Sequence, residues 1–342
     1  MNFAAFGRTK WLYDGILACV ERGHRVSLIG TSPASPEYTV GPKEFQKLAQ
    51  RFRCPFFNDP GINKPDQIEL ARECDADIAI SVNWLTILRA EMLSQLPLGV
   101  VNAHAGDLPR FRGNAAPNWA MLLGEEHVVA TLHRMSTELD AGEILKQRKF
   151  PLTSQTYIGD VYRFLNHNFP QMFVELLDDF ERGRVTPRSQ PPDPALSLRC
   201  FPRQPGDGLI DWRQPAIEIA NLVRVSGDPF PGAYSFYNGE KLIVRRAESA
   251  EHDSPQVGIP GHVVEIQRTT GKVAVLTGEG MLLIEQVEIG TQGKRPAAEI
   301  LRSTRVRLGM AIEEEIHQLL HRVNDLERQL QAVMDPLRTS QV

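Results

Sequence analysis

The first half of the chain alternates short apolar runs with segments whose apolar residues recur at helical spacing. Few folds accommodate that pattern. Residues 2–6 (NFAAF) form an apolar run ending at Gly7, and residues 11–23 (WLYDGILACVERG) put apolar side chains on one helical face closed by Gly23. Arg25–Ile29 reads as the next strand. Residues 43–53 and Asp66–Asp75 read as helices, Asp77–Val82 as a strand, and Arg89–Gln95 as a short helix. Gly99–Ala103 is a buried strand that opens into the loop His104–Gly113. Beyond it, Pro117–Gly124 reads as helical, Val128–Met135 as extended, and Thr156–Arg182 as a long amphipathic helix. Strands alternating with helices predict an α/β domain whose mainly parallel sheet is covered on both faces.

The pattern then changes twice. Residues 186–207 (TPRSQPPDPALSLRCFPRQPGD) are Pro-rich and read as a linker. After a helical segment, Ala216–Val225, short strands are expected at 233–237, 241–247, 261–267, 272–276 and 281–287. Asn238-Gly239, Gly271 and Gly278-Glu-Gly280 punctuate them, as in a small barrel or sandwich. In the tail, Ile312, Ile316, Leu319, Val323, Leu326, Leu330 and Val333 recur at alternating spacings of four and three, flanked by Glu313, Glu314, Arg322, Glu327 and Arg328. Such a heptad seam fits either a helix docked on its own chain or, better, a coiled coil between two chains. The expected organisation is an α/β domain over 1–190, a β-rich domain over 204–307 and a heptad helix over 308–335 that joins a homodimer.

Composition narrows the function classes. The 342 residues include 42% hydrophobic and 23% charged residues, and 38 basic against 42 acidic side chains leave a net charge of −4. That balance weighs against nucleic acid as a partner, since phosphate calls for a basic face. Cys19, Cys54, Cys74 and Cys200 form no CxxC pair and read as reduced thiols, not as a metal site. The N-terminal apolar run is too short for a signal peptide, and no apolar stretch approaches the length of a membrane span. A cytoplasmic chain without a membrane partner is expected.

A nicotinamide or nucleotide-triphosphate fold would place a glycine-rich loop after the first strand, but only Gly7 stands there. The informative stretch is Asn102-Ala-His104-Ala-Gly106-Asp107-Leu108-Pro109-Arg-Phe-Arg-Gly113. Asn102 and His104 lie two apart at a strand end, so both side chains project from one face. Further on, Leu139-Asp140-Ala-Gly142 supplies a carboxylate in a turn. An amide, an imidazole and a carboxylate suit acyl transfer: the amide donates to an oxyanion, the imidazole moves a proton, and the carboxylate sets the imidazole's charge. Taken singly, each of these fragments also reads as ordinary structure.

Taken together, Asn102-x-His104, Leu108-Pro109, Arg112-Gly113 and Leu139-Asp140-x-Gly142 resemble the signature of formyltransferases that use 10-formyltetrahydrofolate. The likeness extends through Gly208-Leu-Ile-Asp-Trp212, Asn221-Leu-Val-Arg224 and Pro229-Phe-Pro-Gly232, which resemble the second domain of methionyl-tRNA formyltransferase. They resemble still more closely the enzyme that formylates a nucleotide-linked aminopentose. The resemblance implies a Rossmann-like catalytic half, an OB-like second domain, and catalytic Asn102, His104 and Asp140 with no metal. It further implies folate binding by Trp84, Leu85, Thr86, Gly106, Asp107, Leu108, Met135 and Thr137. Two positions depart from the family pattern: Gly106 stands where many members have Ser, and Asp107 where Leu is usual.

Three amine acceptors follow. Methionyl-tRNA is disfavoured because residues 200–342 hold 16 Lys and Arg against 19 Asp and Glu, and because TSPASPEYTVGPKEF is poor in basic residues. A nucleotide-linked amino sugar fits better, with Arg8, Lys10, Trp11 and Asn114 as candidate contacts. A peptide or siderophore amine, such as N-hydroxyornithine, is the third.

Overall fold

The computed structural model describes residues 1–342 except 36–37, 252–255, 310–311 and 340–342; within 312–339 the side chains described are those of Ile316 and residues 319–331. The chain divides into two compact units, Met1–Gln204 and Pro205–Val342.

The first unit runs β1 (Asn2–Gly7), α1 (Thr9–Arg22), β2 (Arg25–Thr31), α2 (Pro42–Phe52), β3 (Phe56–Asn58), α3 (Pro65–Glu73), β4 (Ile78–Val82), α4 (Ala90–Leu93), β5 (Val100–His104), β6 (Phe111–Gly113), α5 (Ala116–Leu122), β7 (His127–Arg134), β8 (Ile144–Pro151), α6 (Ile158–Glu181) and β9 (Leu198–Cys200). Its seven-stranded sheet has the order β3-β2-β1-β4-β5-β7-β8. The five strands from β3 to β5 are parallel, and β7 and β8 close the sheet as antiparallel neighbours. Phe3, Ala4, Ala5 and Phe6 are fully buried, the mark of a strand covered on both faces. Helix α1 stops where expected: the Gly23 and His24 amides bond back to the carbonyls of Val20 and Cys19.

From β1 the chain steps outward through β2 and β3, then returns to place β4 on the other side of β1. The carboxyl ends of β1 and β4 therefore flank a switch point, where open α/β sheets bind ligands. Arg8 sits there. Its backbone amide bonds to the Val82 carbonyl at 3.0 Å, and its guanidinium donates to the carbonyls of Asn83 and Pro33.

The Pro-rich stretch is not a free linker. Leu198–Cys200 pairs in parallel with Phe111–Gly113, and the first unit runs through Gln204. Extended chain keeps unpaired backbone groups, and the strand Phe111–Gly113 offers a partner for them.

The second unit holds α7 (Ala216–Ser226) and an antiparallel sheet of β10 (Ala233–Tyr237), β11 (Glu240–Ala250), β12 (Val263–Gln267), β13 (Lys272–Leu276), β14 (Met281–Ile289) and β15 (Lys294–Pro296), followed by α8 (Ala297–Ile300) and α9 (Ile312–Thr339). Asn238 and Gly239 both adopt positive φ, 50° and 79°, as the hairpin between β10 and β11 requires. Trp212 is buried and donates its indole N–H to Ser235 at 2.9 Å. Among the described residues no helix is long and apolar enough to cross a membrane.

Candidate active site

The site forms where β5 ends, and β7 completes it. Antiparallel register sets Asn102 opposite His133 and His104 opposite Thr131. The Asn102 amide nitrogen lies 3.3 Å from His133 Nε2, while His133 Nδ1 donates to the Arg134 carbonyl at 3.0 Å. With Nδ1–H so engaged, Nε2 accepts from Asn102 when the ring is neutral and donates to a carboxylate when it is protonated. That carboxylate is Asp140, whose Oδ1 is 3.4 Å away.

Asp140 Oδ2 accepts the Gly113 amide at 2.8 Å and lies 3.6 Å from His104 Nδ1. Burial alone would raise the carboxyl's pKa. The imidazoles of His104 and His133 and the Gly113 N–H outweigh it and hold Asp140 well below the usual carboxylate range. The Arg-Gly motif thus supplies a backbone donor to the carboxylate. Gly142 has a packing reason of its own, because a Cβ there would lie 1.9 Å from the Arg134 carbonyl oxygen.

His104 is buried, with Nε2 2.6 Å from the Phe111 carbonyl oxygen. Gly106 is fitted to that ring. A Cβ at this position would fall 2.4 Å from His104 Nε2 and 2.4 Å from the Phe111 oxygen. The departure from Ser is therefore compensated sterically, and the Gly106 carbonyl accepts Thr131 Oγ1 at 2.7 Å.

Of the expected folate contacts, Trp84 and Met135 pack against the core cluster that includes Phe6, Leu88 and Val100. Trp84 also meets Phe6 and Phe57 edge-on. Leu85 and Ile87 are each 50% exposed just beyond β4, beside the switch point, and offer apolar surface for a flat ring. Thr86 Oγ1 donates to the Pro60 carbonyl, Leu108 is buried and Thr137 is exposed. Asp107 turns toward its own chain, 3.4 Å from both His127 Nε2 and Gln147 Nε2.

The expected acceptor contacts separate. Arg8 stays at the switch point and stacks on Tyr38, its guanidinium carbon 5.2 Å from the ring centroid. Lys10 pairs with Asp14 on α1 at 2.6 Å. Trp11 lies between Tyr162 and Phe169 of α6 and donates to Asn166, a docking contact between helices. The Asn114 side chain is exposed, while its backbone N–H donates to the Cys200 carbonyl.

Sequence reasoning missed two participants. His133 carries no motif of its own, and only strand register brings it to Asn102. Gln190, within the Pro-rich stretch, donates its amide to the carbonyls of Asp140 (2.8 Å) and Gly142 (2.7 Å), and its oxygen accepts Arg112 Nη2 at 2.7 Å. One acid-histidine group elsewhere, His24 with Asp178 and Glu181, has metal-like proximity among the described residues. Its carboxylates already pair with Arg22 and the N-terminal ammonium.

An amide, two imidazoles and a partly buried carboxylate gathered at the carboxyl end of β5 suit group transfer on an α/β scaffold. Residues 1–177 match the formyl transferase family and residues 203–305 match the formyl transferase C-terminal domain. The chain belongs to the formyltransferase family. It is 32% identical to a methionyl-tRNA formyltransferase of Roseiflexus castenholzii over 77% of this chain and 82% of that one. It is 28% identical to that of Citrifermentans bemidjiense over 90% and 95%. Its fold also matches WlaRD, a sugar 3N-formyl transferase crystallised with dTDP and 5-N-formyl-THF, with TM-score 0.61 and 14% identity over 85% of this chain and 98% of that one.

Proposed function

We propose that the chain transfers the formyl group of 10-formyltetrahydrofolate to a primary amine, and that this amine is the α-amino group of methionyl-tRNA. The observation that carries the acceptor is the 32% identity to a methionyl-tRNA formyltransferase over 82% of that enzyme's length. The charge argument against it weakens once it is localised. Residues 200–309 carry 13 basic and 13 acidic side chains, so the acid excess lies in the heptad tail.

In this reading the amine nitrogen bonds to the formyl carbon, the bond from that carbon to folate N10 breaks, and N10 receives a proton. The products are a formamide and tetrahydrofolate. Asn102 donates its amide to the oxygen that gains negative charge. His104, beside Asp140, moves the proton between the amine and N10, its Nε2–H leaving the Phe111 carbonyl as it does so. His133 supports the Asp140 carboxylate when its ring is protonated and orients Asn102 when it is neutral. Folate lies against Leu85 and Ile87 at the switch point.

A nucleotide-linked amino sugar is the second reading. It is favoured by the sequence of residues 31–41 (TSPASPEYTVG), which carries one Glu and no Lys or Arg. Release of tetrahydrofolate is to be followed with methionyl-tRNA, uncharged tRNA and a panel of nucleotide-linked amino sugars. Turnover dependent on methionyl-tRNA is expected; turnover with a nucleotide sugar and none with methionyl-tRNA reverses the acceptor assignment.

A further inference from the structure

We infer that α9 is one strand of a parallel, in-register, two-stranded coiled coil that joins two copies of this chain. The helix lies beyond the region matched by either formyltransferase domain. Among the described residues its apolar seam is exposed: Ile316, Leu319, Val323, Leu326 and Leu330 are between 49 and 61% exposed. The side chains of Ile312 and Val333, which extend the seam in the sequence, lie outside the described residues.

The occupant follows from which residues fill which heptad positions. The spacing puts Ile316, Val323 and Leu330 at a, and Leu319 and Leu326 at d. In the central layers β-branched Ile316 and Val323 stand at a and Leu319 and Leu326 at d, the combination that favours two parallel strands over three or four, because the Cβ branches fit the a layer of a parallel dimer; Leu330 at a, and Ile312 and Val333 at d, flank them. Charge then sets orientation and register. Arg322 falls at g and Glu327 at the following e, and both are exposed. In a parallel, in-register pair each g residue faces the e residue five positions on in the other helix. Arg322 of each copy then meets Glu327 of the other, giving two attractive contacts related by the two-fold axis. An antiparallel pair sets g against g and e against e, which opposes like charges. Leu320, at e, is also exposed and widens the seam. The residues at b, c and f are polar (His317, Gln318, His321, Asn324, Asp325, Arg328 and Gln331) and suit the solvent side.

This inference does not depend on which amine is formylated. Sedimentation of the full chain at micromolar concentration is expected to give a dimer. Leu319→Lys combined with Leu326→Lys is expected to weaken it by roughly 100-fold or more, because both d layers then hold charges. Arg322→Glu alone and Glu327→Arg alone should each weaken association roughly tenfold by turning two attractions into repulsions, and combining them should restore the dimer. Ile316→Cys is expected to cross-link the two copies on mild oxidation, with wild type as the control for the native cysteines; antiparallel helices would hold these positions far apart. A wild-type monomer, trimer or tetramer overturns the inference. So does a dimer indifferent to the Leu319 and Leu326 changes, a charge swap that fails to recover, or an Ile316→Cys chain that does not cross-link.

Discussion

His133 Nε2 lies 3.4 Å from Asp140 Oδ1, so the carboxylate is shared between two imidazoles, one from β7 and one from β5. Three supports hold it: the two rings and the Gly113 amide. That arrangement keeps a partly buried carboxylate charged through the neutral pH range.

Removing members of this cluster should cost activity more than stability. Asn102→Ala, His104→Asn and Asp140→Asn are each expected to lower kcat by roughly 100-fold or more, as loss of an oxyanion donor or a proton-transfer group does. Steady-state release of tetrahydrofolate measures this, with circular dichroism as the check on folding. A His104→Asn enzyme with near-wild-type turnover would remove the imidazole from the chemistry.

The depressed pKa of Asp140 gives a signed pH dependence. A carboxyl whose folded pKa lies below its unfolded value stabilises the fold above the unfolded value, about 4, and loses that contribution as pH falls. The Tm gap between wild type and Asp140→Asn should therefore be largest above about pH 5 and shrink below about pH 4. A gap that widens on acidification would contradict the assigned direction.

Gly106→Ser introduces the hydroxyl common in related sequences, yet here it should impair the enzyme. Its Cβ must displace His104 or the Phe111 carbonyl. A shift on the order of 1 Å in a catalytic group can cost roughly 100-fold, so a fall in kcat of ten- to 100-fold is expected. Unchanged turnover would show that the loop yields without disturbing the ring.

Gln190→Ala tests whether the Pro-rich stretch serves the site. Losing the bonds to the Asp140 and Gly142 carbonyls should destabilise the first unit by about 1–2 kcal/mol and reduce kcat, with little change in the KM for formyl-folate. Thermal unfolding and a KM-against-kcat comparison read the two effects separately.

Leu85 and Trp84 are adjacent but predicted to behave differently. Leu85→Asp should leave stability within about 0.5 kcal/mol while raising the KM for formyl-folate, because the side chain is half exposed. Trp84→Ala should cost about 3 kcal/mol by opening a void against Phe6 and Phe57. Equal stability losses at both positions would place Leu85 in the core.

Local pattern was enough for several features of this protein. The period of its apolar residues yields the α/β half, and hairpin chemistry at Asn238-Gly239 yields a turn of the second sheet. Strand geometry puts Asn102 and His104 on one face, and the four-three spacing in the tail defines the seam of α9. These depend on neighbours along the chain, where a helix repeats every 3.6 residues and a strand every two. Other features wait on distant contacts. Antiparallel register brings His133 to Asn102, backbone pairing draws Leu198–Cys200 onto Phe111–Gly113, and a side-chain hydrogen bond draws Gln190 onto Asp140. Trp84 is claimed by the core and Trp11 by α6, while Asp107 turns to His127 and Gln147. Burial and hydrogen-bond satisfaction decide such contacts across the whole unit, so no local window of sequence holds them.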